Sequence, residues 1–125
     1  MKIHLLGDDS PSNVIRRHDA TSVTIGESTY TSSLIVSPSR LITDWEPETA
    51  KSLTAENLAL LVGLDPELIL IGTGARQHFP PTEILRSIIT ENIGYEIMDT
   101  GAACRTYNIL VAEGRAVVAG LLLTD

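Results

Sequence analysis

Three short strand-like runs, Leu68 to Ile71, Tyr95 to Met98 and Val117 to Leu123, are separated by two stretches of helical periodicity. This alternation constrains the fold more than any other feature. Leu68-Ile69-Leu70-Ile71 has no polar position, the pattern of a strand covered on both faces. Pro80-Pro81 opens the first helical stretch, because proline is tolerated where backbone N–H groups lack intrahelical partners. Ile84, Leu85, Ile88 and Ile89 then fall on one stripe, and Asn92 or Gly94 closes the helix. In the second stretch Asp99 or Thr100 caps a helix carrying Ala103, Tyr107, Leu110 and Val111, with Gly114 just beyond its last turn. Strand–helix–strand–helix–strand order implies two right-handed crossovers and a locally parallel sheet.

Upstream the pattern is antiparallel β. Val23 and Ile25 alternate with Ser22 and Thr24, and Gly26-Glu27 predicts a type II′ hairpin turn. A second run extends from Thr29 to Ser37 until Ser37-Pro38-Ser39 breaks it, and Leu41, Ile42 and Trp45 form a further short segment. The expectation for this region is a meander with one covered face. Thr54 then caps a helix over Ala55 to Val62, ended by Gly63 or Asp65-Pro66. The predicted class is α/β, a β-meander layer packed on a βαβαβ unit with a partly parallel sheet. All 125 residues are expected to form one domain, with residues 1–14 a flexible N-terminal segment.

Charge narrows the partners. A net charge of −7 argues against sequence-independent binding to nucleic acid, which needs a basic surface. No stretch approaches the roughly 20 apolar residues of a membrane span, so no insertion is expected. The run Met1 to Ser10 is too short and too acidic for a signal or transit sequence. Cys104 is the only cysteine and has no internal partner, which suits a reducing compartment, so the cytoplasm is expected. His4, His18 and His78 are scattered without ligand spacing; neither metal nor cofactor is expected.

Ligands of open α/β sheets sit beyond the carboxyl ends of parallel strands, where helix N-termini converge. Two such ends are visible, Gly72-Thr73-Gly74-Ala75-Arg76-Gln77 and Asp99-Thr100-Gly101-Ala102-Ala103-Cys104-Arg105. Candidate ligand-binding residues are Gly72, Thr73, Gly74, Arg76, Asp99, Arg105 and Asn108. Glycines admit close backbone approach, and the two arginines suit a phosphate or carboxylate. The same glycines can simply make tight turns, Asp99 can be a helix cap, and Asn108 can satisfy a backbone group. Cys104 lies in a first helical turn, where the dipole favours thiolate, yet free cysteines are commonly buried as small hydrophobes, and that is the leading reading. No catalytic constellation is legible, so an enzyme is not the leading expectation.

At these residues the chain resembles a known family. Ile71-Gly72-Thr73-Gly74-Ala75-Arg76-Gln77-His78-Phe79-Pro80-Pro81 is similar to one hallmark of a domain-of-unknown-function family. Met98 through Leu110, followed by Glu113-Gly114-Arg115, resembles the second. The family includes mitochondrial complex I assembly factor 3 and the adipogenesis-associated domain-containing protein. Similarity runs from about Ile15 to Leu123. The resemblance implies a sheet layer on a β/α layer and a role in assembling respiratory complex I through protein contacts. Without a presequence the chain resembles a prokaryotic-type cytoplasmic member. The leading expectation is an interaction or assembly-type domain with a protein partner. The alternative is a small-anion site, and a homo-oligomer is a third possibility.

Overall fold

The computed structural model describes residues 1–5 and 11–124. Residues 6–10, part of the segment expected to lack targeting character, lie outside the described residues. Three strands, β1 (Lys2–Leu5), β5 (Leu34–Val36) and β6 (Arg40–Thr43), join β7 (Leu68–Thr73), β8 (Gly94–Met98) and β9 (Val117–Leu122) in one sheet. Its order is β1-β6-β5-β9-β7-β8. β2 (Ile15–His18), β3 (Val23–Ile25) and β4 (Ser28–Tyr30) form a separate three-stranded antiparallel sheet. Of the segment expected to be flexible, residues 2–5 pair with β6, and the Asn13 amide donates to the Ser37 and Arg40 carbonyls at 3.0 and 3.2 Å.

The hairpin at Gly26-Glu27 forms as its sequence predicts. Ile25 pairs with Ser28, and Gly26 takes a φ of +62°, which glycine alone adopts without a steric cost. The meander with one covered face forms as β2, β3 and β4, and only its extent is corrected. The run from Thr29 to Ser37 is two strands in two sheets, divided at residues 31–33. Leu34, Ile35 and Val36 are consecutive and all buried, so they need cover on both faces, which the small sheet does not offer. They find it in the large sheet, between β6 and β9.

The β/α half follows local chemistry closely. α1 (Ala55–Val62) is capped by Thr54, whose Oγ1 accepts the Asn57 N–H at 3.1 Å while Asn57 Oδ1 accepts the Thr54 N–H at 2.9 Å. The helix after Pro81 is shorter than expected, a 3₁₀ turn over Thr82–Leu85 running into α2 (Arg86–Thr90). The change of winding breaks the anticipated four-residue stripe. Leu85 and Ile88 are buried, but Ile89 is 47% exposed. α3 (Thr100–Ala112) ends in a Schellman turn, Gly114 N–H to Val111 carbonyl and Arg115 N–H to Leu110 carbonyl, with Gly114 at φ +75°.

β7 lies between β8 and β9 and runs parallel to both. The crossover through α2 steps one way across the sheet, and the crossover through α3 steps back over β7. Two crossovers of one hand in opposite directions put their helices on opposite faces. The core divides accordingly. Leu70, Ala119 and Leu121 face α3 and the small sheet, meeting Cys104, Tyr107, Val23 and Ile25. Ile69, Ile71 and Leu122 face α1 and α2, meeting Leu58, Leu61 and Ile88. On that second face the Trp45 ring abuts Gly120, where a Cβ would stand 2.8 Å from it.

Candidate functional site

β7 and β8 are adjacent and parallel, and their connections leave for opposite faces. Such a divergence opens a crevice at the carboxyl ends of many α/β sheets. Here side chains and backbone of the chain itself fill it. A Cβ at Gly72 would stand 3.0 Å from both Cα and Oγ1 of Thr100, so the missing side chain lets the start of α3 rest on β7. Thr100, fully buried, donates its hydroxyl to the Leu122 carbonyl at 2.6 Å and accepts the Gly74 N–H at 2.8 Å. The Thr100 N–H returns a bond to the Gly74 carbonyl at 2.9 Å. One threonine thus ties the ends of β7, β9 and α3 together.

Thr73 does the same for the loop that follows. Its hydroxyl donates to the Arg76 carbonyl at 2.6 Å and accepts the His78 N–H at 3.0 Å. Gln77 Nε2 donates to the Ile97 carbonyl on the edge strand β8 at 2.8 Å. Gly74, at φ +93°, passes so close to the Thr124 carbonyl that a Cβ would stand 2.5 Å from it. The loop is therefore braced from within. Arg76, Gln77, His78 and Phe79 are left on the outside, and Phe79 is 72% exposed above a buried Pro80.

At the start of α3, Asp99 accepts the Ala102 N–H at 2.9 Å as the helix cap. Its carboxylate occupies the position an anion would take at the helix N-terminus and opposes a second negative charge there. Arg105 is exposed, and its Nη1 approaches Gly101, as do Asp99 Oδ1 and His18 Cε1. Among the described residues the one ion pair is Arg115 to Glu67, at 2.8 Å, and none of the described carboxylates lies within ion-pair distance of Arg76 or Arg105. Asn108 points elsewhere, binding the backbone of Ile15. The structure thus brings Gly72, Thr73, Gly74, Asp99 and Arg105 to one end of the sheet and gives Asn108 a docking role.

Of the two readings of Cys104, the structure bears out the small buried hydrophobe. The side chain is buried, and burial pushes the thiol up from its ordinary value near 9 to about 12; the opposing pull of Arg105 is smaller, and Asp99 raises it further. Among the described residues no group of three or more His, Cys, Asp or Glu converges to hold a metal, and no helix is long and apolar enough to cross a membrane.

Both braced segments fall inside the region matched by a family model described as "Protein of unknown function (DUF498/DUF598)", which covers residues 15–122. The chain belongs to this family. The DUF498/DUF598 domain is 37% identical over 94 residues to a Francisella tularensis protein named "13 kDa major membrane protein", covering 74% of this chain and 75% of the relative. It is 30% identical over 115 residues to the Danio rerio NADH dehydrogenase [ubiquinone] 1 alpha subcomplex assembly factor 3, covering 90% of this chain but 66% of that protein. In structure it is similar to a Bordetella parapertussis protein, with a TM-score of 0.86 and 34% identity over 92% of this chain and 98% of the other.

Two residues of this DUF498/DUF598 member escaped sequence reasoning. His18, discounted for its isolation, is brought beside Gly101 by β2, a pairing between distant segments that no local pattern reveals. Phe79 reads in sequence as a fixed entry to a helix. Its exposure arises because the buried Pro80 and the Thr73 bonds hold the loop outward.

Proposed function

We propose that this domain is a non-enzymatic docking module that helps assemble a respiratory NADH dehydrogenase, with the Gly74–Phe79 loop as its contact surface. The observation that carries this reading is the position of Phe79. It is the only phenylalanine of the chain, and it stands 72% exposed on a loop held by side-chain hydrogen bonds. Exposed aromatics on rigid supports serve as anchors of protein interfaces, because little conformational entropy is lost when they are buried. Relatives named as NADH dehydrogenase assembly factors supply the class of partner. The interior bonding of Thr73 and Thr100 favours docking over a small-anion site, since it uses the polar groups such a ligand needs.

The proposed compartment is the cytoplasm, in keeping with a single unpaired cysteine. The test is co-purification of NADH dehydrogenase subunits with the tagged chain from its own host. Phe79→Ala should abolish recovery while leaving the melting temperature unchanged. Retention of those subunits by the variant, or their absence from the wild-type capture, overturns the reading. Recovery only in the integral membrane fraction after an alkaline wash overturns the compartment.

A further inference from the structure

The end of the sheet that carries Phe79 also carries a cavity. It has a volume of about 400 Å³ and lies where β5 begins and where β6 and β9 end. Trp45 and Leu123, both buried, form its apolar part beside the polar Thr31, Ser32 and Ser33, and the exposed carboxylates of Asp44, Glu46 and Glu48 complete the lining. This size is within the range of pockets that enclose small ligands, roughly 300–1,000 Å³. Thr124, another lining residue, is the one whose carbonyl abuts Gly74, the base of the loop that presents Phe79. Loop and cavity therefore lie at the same end of the sheet. Their charges are opposite, since the exposed Arg76 lies on the loop that presents the phenylalanine while the carboxylates of Asp44, Glu46 and Glu48 line the cavity.

We infer that this end of the sheet is self-complementary, and that two copies of the chain dock through it about a two-fold axis. Phe79 of each copy enters the acidic-lined cavity of the other, and Arg76 meets the Glu46 side of that lining. A two-fold contact uses one patch twice, so a patch bearing both a knob and a hole of opposite charge satisfies it. The inference rests on the reading of the Phe79 loop as a docking surface, which the second copy covers in the dimer and which dissociation frees for NADH dehydrogenase subunits. Two chains of charge −7 repel at long range, but at physiological salt screening acts over about 8 Å, so local pairs decide the contact.

Sedimentation equilibrium of the purified chain over a concentration series reads the outcome directly. The expected mass is twice that of the chain at high concentration. Phe79→Ala should weaken dimerisation about tenfold or more. Arg76→Glu alone and Glu46→Arg alone should each be monomeric, because each places like charges at both contacts. An equimolar mixture of the two should dimerise again, since one contact then regains an inverted pair and the other keeps the native pair. A wild-type monomer at every concentration overturns the inference, as does a dimer unaffected by all three substitutions or a mixture that stays monomeric. Capture of NADH dehydrogenase subunits by a monomeric charge variant is read separately, so a failed dimer and a failed docking module remain distinct results.

Discussion

The carboxamide of Asn108 grips both polar groups of Ile15, accepting its N–H at 2.9 Å and donating to its carbonyl at 2.8 Å. Ninety-three positions separate the two residues, and this pair joins α3 to the first strand of the small sheet. The neighbouring Tyr107 hydroxyl adds a bond to the Asn13 carbonyl at 2.9 Å. Asn108→Ala leaves both Ile15 groups without their partner and should cost about 1–3 kcal/mol. Asn108→Asp keeps the acceptor but sets a carboxylate against a carbonyl, so it should not rescue. Urea midpoints of the three proteins decide the matter, and equal midpoints for wild type and alanine variant would remove the docking role.

Thr100 calls for a paired comparison. Thr100→Val keeps the shape but strips the Gly74 N–H and Leu122 carbonyl of their shared partner, in a place water does not reach. The expected loss is about 1–3 kcal/mol for each orphaned group. Thr100→Ser retains the hydroxyl and should recover most of it. Amide exchange should show the Gly74 N–H protected in wild type and serine variants and fast in the valine variant.

Gly120→Ala tests the contact beneath Trp45. The new methyl would stand 2.8 and 2.9 Å from two ring carbons and 3.3 Å from Leu61. Overpacking of this kind costs about 1–3 kcal/mol. Combining it with Trp45→Phe should cost less than the sum of the two single changes, because the smaller ring yields the space. Trp45 is the only tryptophan, so its emission reports the single variant's distortion directly.

Alkaline pH should unfold the domain through two buried groups. Burial raises the Cys104 thiol from near 9 to about 12 and raises the Tyr107 phenol as well. The native state holds these protons after the unfolded chain has released them. Their contribution is complete below about pH 9 and is lost progressively above it, at up to about 1.4 kcal/mol per pH unit for each group. Cys104→Ala should flatten the decline of the urea midpoint between pH 9 and 11. In the folded wild type the thiol should resist alkylating reagents at pH 8 and react only on unfolding.

Much of this architecture was legible because its causes are local. Thr54 with Asn57, Asp99 with Ala102, Gly114 and the Gly26 turn each act within about four residues, and each element begins or ends where those residues indicate. That β7, β8 and β9 run parallel followed from alternation alone, though not the order in which they lie. What stayed hidden depends on distant partners. Nothing near residues 31–33 announces that the chain leaves one sheet for another, or that Leu34 will lie beside Leu121. For the candidate site, position was readable and purpose was not. Thr73 and Thr100 spend their hydroxyls on carbonyls supplied by Arg76, Met98 and Leu122, and only the assembled sheet brings Met98 and Leu122 within reach.

The place of β9 has a consequence for how the chain acquires its shape. Residues 34–36 and 68–73 flank it on either side, so the antiparallel and parallel parts of the large sheet have no direct ladder between them. Until residues 117–122 are available, a nascent chain holds two half-sheets whose exposed edges can recruit the wrong strand. Closure is then one late insertion that completes both layers of the core together. Truncation or delay at this strand should leave an aggregating intermediate with native-like halves, not a gradually weakened fold.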